Sequence, residues 1–185
     1  MACPKCGFTH NCVCHALPTL SSSLTFMLLT HEREITRETN TGKWVASMLG
    51  KQCSQPQWSR KMASLIPNHE HWGVLFPSQE SISLTDETSA NPPQRFIVLD
   101  ATWQEAQKMF RQTPWLQALP QYHLPIAQNS RYSLRRNQQS GALCTLEIVA
   151  EVFSWQGETK QAEKMHAFLT TLLPTYQADK SGHHL

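Results

Sequence analysis

The tetrapeptide Asp100-Ala101-Thr102-Trp103 places an acid, a hydroxyl group and an indole ring directly after an apolar run. That run, residues 96–99, has the length of a buried strand, and a helical pattern begins after the tetrapeptide. Open α/β sheets bind ligands outside the carboxyl ends of their strands, and a helix that starts there turns free backbone N–H groups toward the ligand. The tetrapeptide therefore predicts the position of a binding or catalytic site.

The carboxylate of Asp100 has two interpretations. An acid at a strand end commonly caps the following helix by accepting hydrogen bonds from its first N–H groups. The same position suits a group that handles a proton of a bound substrate. Thr102 can share the capping, and Trp103 can be a core anchor or a ring that stacks on a ligand. The residues alone leave these interpretations open.

A second carboxylate, Glu147, lies early in a predicted helix that begins near residue 143. An acid there is favoured by the helix dipole without any further function. The functional interpretation is recognition of the hydroxyl pair of a ribose, and both interpretations stay open.

Four of the six cysteines lie within the first fourteen residues, at Cys3, Cys6, Cys12 and Cys14. Their spacing allows two short knuckles to close on a tetrahedral ion with four sulfur ligands and no open position, which predicts a structural zinc. Disulfides are the alternative, but the first residues show no signal-peptide pattern, which favours a reducing compartment. His10 and His15 rank below the cysteines as ligands because four thiolates already complete the set.

Residues 129–136 form a basic segment that contains three arginines around Tyr132. Cations beside an aromatic ring suit the phosphates and unstacked bases of a folded RNA. An ordinary solvated loop is the alternative, because runs of charge are usually surface.

Apolar runs alternate with helical patterns along the chain, which predicts an α/β fold. Strands are predicted over residues 24–29, 72–76, 96–99 and 122–126. Helices are predicted over residues 43–49, 102–112, 143–153 and 159–173. We expect a zinc knuckle over residues 1–18, one catalytic domain over residues 19–175 and a surface tail over residues 176–185.

The chain has 185 residues, which is enough for one domain with a proper core. Its formal net charge of +2 neither demands nor excludes a nucleic-acid partner. No apolar stretch approaches the roughly 18 residues that cross a bilayer, so we expect a cytoplasmic protein without a membrane partner.

Six blocks of sequence, spread over about residues 3–153, occur in an order that resembles the DTW-domain family. They are the cysteine cluster, Arg37-Glu38-Thr39-Asn40-Thr41-Gly42, Leu75-Phe76-Pro77-Ser78, the Asp100 tetrapeptide, Ser130-Arg131-Tyr132 and Thr145-Leu146-Glu147. The tetrapeptide by itself is a weak signature, whereas the six blocks in one order are specific.

This resemblance implies a tRNA-uridine aminocarboxypropyltransferase that is similar to the SPOUT class of S-adenosylmethionine-dependent enzymes. The implied fold is a SPOUT-like α/β domain with a parallel sheet and a C-terminal trefoil knot. The implied reaction transfers the 3-amino-3-carboxypropyl group of S-adenosylmethionine to N3 of a tRNA uridine, in bacterial members one in the variable loop. Methylthioadenosine is released. No catalytic metal is required, because a sulfonium is already a good leaving group.

The resemblance also implies roles for individual residues. Asp100 is the predicted base for the weakly acidic N3 proton. The residues predicted to hold S-adenosylmethionine are Leu75, Phe76, Pro77, Ser78, Leu99, Thr102, Trp103, Thr145 and Glu147. The residues predicted to bind tRNA are Arg33, Lys108, Arg131, Tyr132, Arg135 and Arg136, of which Arg33, Lys108 and Arg136 are inferred from charge.

Two other functions are compatible with the same residues. One is a SPOUT-type RNA methyltransferase that uses the same donor and releases S-adenosylhomocysteine instead. The other is a zinc-dependent RNA-binding protein without enzymatic activity. None of the three functions implies an obligate protein partner.

Overall fold

The structure is a computed structural model that describes residues 1–62, 71–85, 93–125 and 143–184. Within these ranges the strands are β1 (Thr25–Thr30), β2 (Cys53–Ser54), β3 (Trp72–Leu75), β4 (Ile82–Ser83), β5 (Arg95–Asp100) and β6 (Gln121–His123). They form one sheet in the order β2-β1-β5-β3-β6-β4, and every neighbouring pair is parallel. The predicted α/β class with a parallel sheet is confirmed.

The α-helices of the described residues are α1 (Glu32–Ile35), α2 (Gly42–Leu49), α3 (Trp103–Arg111), α4 (Pro114–Gln117), α5 (Thr145–Trp155) and α6 (Thr159–Lys180). The four predicted strands and four predicted helices all occur, with ends that differ by a few residues. The two-residue strands β2 and β4 and the four-residue helices α1 and α4 are too short to produce a periodic pattern. None of the described helices is long and apolar enough to cross a membrane.

Side chains of β1 alternate between two cores on opposite faces of the sheet. Phe26 and Leu28 belong to a core that includes α2, α5, α6 and the N-terminal residues. Met27 and Leu29 belong to a second core with α3 and α4. Because both faces are covered, the apolar run has no polar alternation, as expected for a central parallel strand.

The neighbouring strands β1 and β5 send the chain to opposite faces of the sheet. Their register runs from the pair Thr25 and Arg95 to the pair Thr30 and Asp100. After β1 the chain passes through the short helix α1 into α2, which lies in the first core, whereas after β5 it enters α3 in the second. This reversal is a topological switch point, the place where open α/β sheets bind ligands.

Helix α6 continues to Lys180, with Pro174 inside it. The prediction that this helix ends at residue 173 is therefore wrong, because residues 176–180 of the predicted surface tail belong to the helix. A proline removes one N–H donor from a helix, which is why the sequence suggests an end there. Tertiary contacts extend the helix beyond it: Tyr176 packs on Phe8 with ring centroids 5.8 Å apart, and Asp179 is buried.

Candidate functional site

Asp100 is the last residue of β5 and has no exposed surface. Its Oδ1 atom accepts a hydrogen bond from Thr145 Oγ1 at 2.6 Å. Its Oδ2 atom accepts from Asn40 Nδ2 at 2.8 Å and lies 3.1 Å from Thr30 Oγ1 and 3.4 Å from Gln55 Nε2. We call these five residues the carboxylate junction, because one carboxylate joins four separate segments of the chain.

Two helices begin beside this carboxylate. A Cβ atom at Gly42, the first residue of α2, would lie 2.6 Å from Asp100 Oδ2, so only glycine allows the helix to come this close. Thr41 Oγ1 accepts the backbone N–H of Leu146 at 3.3 Å, which ties the start of α2 to the start of α5. The partial positive charge of both helix starts favours an anion at this position.

The residue that caps α3 is Thr102 and not Asp100. Thr102 Oγ1 accepts the Glu105 N–H at 3.4 Å, and Glu105 Oε2 accepts the Thr102 N–H at 3.1 Å, which together form a capping box. Burial raises the pKa of Glu105, but hydrogen bonds from Thr102, together with electrostatic attraction to His31 and Arg37, outweigh it and hold that pKa below its usual value. The interpretation of Asp100 as the cap of α3 is thus wrong.

Trp103 presents a solvent-exposed aromatic ring three residues after Asp100. Its side chain is 42% exposed, so it is not a core anchor. The indole stacks on Phe76, with ring centroids 5.5 Å apart, and Phe76 stacks in turn on Phe110 at 4.3 Å. The stack joins the segment after β3 to the segment after β5.

Other residues predicted to hold S-adenosylmethionine lie at the same end of the sheet. Leu75 and Leu99 end or nearly end their strands, Pro77 is exposed and Ser78 is half-buried. The side chain of Glu147 is directed elsewhere: it is buried, and Oε2 accepts the N–H of Cys144 at 2.9 Å in a second capping box. For Glu147 the geometry therefore favours the helix-start interpretation.

The residues predicted to bind tRNA are only partly described. The Arg33 side chain is 74% exposed, and its Nη1 atom lies 3.8 Å from Glu105 Oε1. Lys108 is half-buried on α3. Arg131, Tyr132, Arg135 and Arg136 lie in residues 126–142, outside the described residues.

The hydrogen-bond partners of Asp100 are not apparent from the sequence alone. Thr30 and Gln55 have no local pattern that marks them as site residues. Asn40 belongs to a block that carries the family resemblance, but its hydrogen bond to Asp100 follows from the fold. The in-register pairing of Thr30 with Asp100 is the signal that could have identified one partner, and it needs knowledge of strand order.

The four N-terminal cysteines form a group whose Sγ atoms all lie within 4.8 Å of one another. Sγ of Cys3 is 3.8 Å from that of Cys14 and 3.7 Å from that of Cys12. Zn–S bonds of about 2.3 Å in a tetrahedral site put sulfur atoms about 3.8 Å apart, so the donor set fits zinc. Such a site supplies four thiolates and leaves no position for substrate.

The thiols of this group differ in acidity. Hydrogen bonds from the backbone N–H groups of Cys6 and Lys5 lower the pKa of Cys3 to about 6. Burial is the main cause that raises the pKa of Cys14 to about 12. Since metal ligands must be thiolates, metal binding has to displace protons from this group.

Comparisons with known proteins identify the family. A family model described as the DTW domain matches residues 1–177. The tRNA-uridine aminocarboxypropyltransferase 2 of Drosophila melanogaster is 31% identical over 78 residues, which cover 42% of this chain and 31% of that protein. The protein of the same name from Macaca fascicularis is 24% identical over 188 residues, covering 95% of this chain and 61% of that protein.

The chain thus spans less than two thirds of the length of these curated relatives. No solved structure matches the chain. The family model nevertheless covers nearly all of it, from the four cysteines through most of α6. This protein therefore belongs to the DTW-domain family, as the order of its sequence blocks predicted.

Proposed function

We propose that this protein transfers the 3-amino-3-carboxypropyl group of S-adenosylmethionine to N3 of a tRNA uridine, with a variable-loop uridine as the expected target. The observation that carries the proposal is that the family's Asp100 tetrapeptide lies at the switch point between β1 and β5. The names of the two relatives support the reaction class. The SPOUT-like relationship and the C-terminal trefoil knot belong to the same proposal.

The reaction forms one bond and breaks one bond. Uridine N3 attacks the γ-carbon of the methionyl group, and the electron pair of the carbon–sulfur bond passes to sulfur, which leaves as the thioether of methylthioadenosine. The N3 proton passes to a base. Since the donor also carries a transferable methyl group, the protein's main task is orientation of the γ-carbon toward N3.

The segments after β3 and β5 and at the start of α5 are proposed to hold the donor. The exposed indole of Trp103 offers an aromatic face that suits an adenine ring or a sulfonium cation. Its stacking on Phe76 keeps that face in one orientation. Arg33, Lys108 and the arginines of residues 131–136 are proposed to contact tRNA phosphates.

Asp100 is proposed to take the N3 proton, and its surroundings set a condition for that role. The carboxylate is buried, so N3 can reach it only if a neighbouring donor moves. Thr145 is the donor on Oδ1, whereas the other junction side chains meet Oδ2. A shift of Thr145 would expose Oδ1 while Oδ2 stays held, so Oδ1 is the atom we propose as proton acceptor.

The four cysteines are proposed to hold a structural zinc. A zinc ion bound by four thiolates would hold the N-terminal segment in a fixed conformation. Phe8, within this segment, packs against Trp44 of α2 with ring centroids 6.3 Å apart. The zinc site would thereby support the helix whose first residue, Gly42, leaves no room for a Cβ atom beside Asp100.

The test is an incubation of the full chain with unmodified bulk tRNA and S-adenosylmethionine. The expected products are methylthioadenosine and a tRNA uridine that carries the aminocarboxypropyl group, identified by mass mapping. Formation of S-adenosylhomocysteine would show a methyltransferase instead. Binding of tRNA without either product would favour the RNA-binding protein, and the same assay on Asp100→Ala shows whether this residue is needed.

A further inference from the structure

Another buried carboxylate, at the far end of the chain, holds the segment between the second and third cysteines. Asp179 lies in the last turn of α6 and is 9% exposed. Its Oδ1 atom accepts the backbone N–H groups of His10 at 2.6 Å and Asn11 at 2.8 Å, and Oδ2 accepts that of Thr9 at 3.1 Å. We call Asp179 with these three N–H groups the loop anchor.

The position of Asp179 works against the local preference of its own helix. The end of a helix carries partial negative charge, so an acid in the last turn is unfavourable. A residue that breaks a local rule commonly has a compensating role elsewhere in the fold. Here the compensation is the three backbone donors, because a carboxylate that accepts N–H groups forms charge-assisted hydrogen bonds.

The two halves of the cysteine segment are held differently. The first half closes on itself, since the Gly7 N–H donates to Cys3 O and the Cys3 N–H donates to Phe8 O, each at 2.8 Å. The N–H groups of residues 9–11, directly before Cys12, donate instead to Asp179. The first cysteine pair is thus positioned locally, and the approach to the second pair is positioned by α6.

Two further contacts keep the end of α6 beside the loop. Phe8 packs on Tyr176, one turn before Asp179. The side-chain amide of Asn11 donates to the carbonyl of His183 at 2.6 Å. The loop anchor is therefore part of a larger contact between the end of α6 and the N-terminal segment.

We propose that Asp179 is a positioning residue of the four-cysteine metal site. Its carboxylate holds residues 9–11 so that Cys12 and Cys14 meet the ion together with Cys3 and Cys6. The C-terminal turn of α6 thereby controls how firmly the N-terminal site retains zinc. This inference rests on the metal site and is independent of the transfer reaction.

The test measures zinc release from the zinc-loaded full chain into a chromogenic chelator. Asp179→Asn is expected to release zinc about 10-fold to 100-fold faster than the unchanged protein, the range typical for loss of a group that orients metal ligands. Glu163→Gln is the matched control, because it also removes one acid from α6 but at an exposed position. It is expected to release zinc at the unchanged rate.

A second measurement separates positioning from general stability. Unfolding temperatures are compared with and without zinc for each variant. If Asp179 positions the metal site, Asp179→Asn reduces the difference in unfolding temperature between the zinc-loaded and zinc-free proteins. If Asp179 has a purely structural role, the substitution lowers both unfolding temperatures equally.

Each result of these measurements either supports or overturns the proposed positioning role of Asp179. Unchanged release from Asp179→Asn, or failure of the full chain to bind zinc, overturns it. If Asp179→Asn does not fold, Asp179→Glu, which keeps the charge but displaces the carboxylate, carries the test. Faster release from Asp179→Glu then supports the proposal, and an unchanged rate overturns it.

Discussion

The carboxylate junction and the loop anchor both use one buried carboxylate, but they differ in the groups that meet it. Asp100 meets side chains from four segments that are 45 to 70 residues away along the chain. Asp179 meets backbone N–H groups of three consecutive residues. The junction depends on the identity of every partner, whereas the anchor depends on Asp179 and on the path of the loop.

This difference separates two kinds of vulnerability. A single substitution at Asn40, Gln55 or Thr145 removes one donor from the junction and leaves the carboxylate less satisfied. Substitutions at Thr9 or His10 leave the backbone donors of the anchor in place. The junction lies at the switch point of the sheet, so its failure affects the candidate site directly, and failure of the anchor affects the metal site first.

The largest effect is expected from Asp100→Asn, which keeps the shape of the side chain and removes its charge. If Asp100 takes the N3 proton, turnover falls by about 10²-fold to 10⁴-fold, the range of general-base catalysis. Affinity for S-adenosylmethionine, measured by calorimetry, stays within a few-fold. Thr145→Val, which removes one donor but keeps the carboxylate, is expected to lose less activity.

A different pattern would show that Asp100 only positions its neighbours. In that case Asp100→Asn and Thr145→Val lower the affinity for S-adenosylmethionine and the unfolding temperature together with the activity. Glu163→Gln, an exposed acid on α6, should leave all three measurements unchanged.

Cys3→Ser is expected to have the next largest effect, and this effect is confined to the four-cysteine metal site. Removal of one ligand from a closed site lowers the zinc content from about one ion per chain to nearly none. Elemental analysis of the purified protein measures this, with Cys53→Ser as the control because Cys53 lies outside the four-cysteine group.

The zinc of the unchanged protein is also expected to dissociate as the pH falls, because protons compete for the thiolates. A stable and active protein that contains no metal would contradict the structural zinc.

Gly42→Ala tests how closely α2 approaches the junction. Alanine is normally better than glycine in a helix, so the substitution should stabilise the protein if space were available. The added Cβ would lie 2.6 Å from Asp100 Oδ2, and crowding of this kind costs about 3 kcal/mol of unfolding free energy. Urea denaturation measures the loss, with the exposed Ser47→Ala of the same helix as the control.

A double variant makes this test specific. If the crowding comes from the carboxylate, Gly42→Ala costs much less in an Asp100→Ala background, because the two changes are coupled. Equal costs in both backgrounds would mean that α2 is destabilised for another reason.

The parts of the fold predicted from sequence are those whose signal is local. The apolar runs of β1 and β5 mark central strands, and the spacing of Cys3, Cys6, Cys12 and Cys14 marks a ligand set without knowledge of the fold. The position of Asp100 at the end of β5 also follows from a local pattern. Each of these predictions needs only residues that are close together in the chain.

The parts that escaped prediction depend on contacts between distant segments. Thr30 and Gln55 are ordinary polar residues until the sheet brings them to Asp100. Asp179 lies 168 to 170 residues from its partners, in a stretch that looks like a surface tail after Pro174. The interpretation that made Asp100 the cap of α3 is wrong because Thr102, two residues further along the chain, is the residue whose side chain accepts the N–H of the first turn.

The smallest expected effect comes from Glu105→Gln, beside the junction. The pKa of Glu105 is lowered in the folded protein, so its carboxylate stabilises the fold above its unfolded pKa of about 4.3 and loses that contribution as the pH falls through the lower, folded value. At neutral pH, Glu105→Gln should cost about 1 kcal/mol, typical for a helix cap, and should flatten the loss of stability below pH 4. Denaturation at several pH values measures both, with Glu163→Gln as the control. If Glu105→Gln keeps the full acid dependence, the capping box of α3 is not its source, and the carboxylates of the junction and the anchor are the groups to test next.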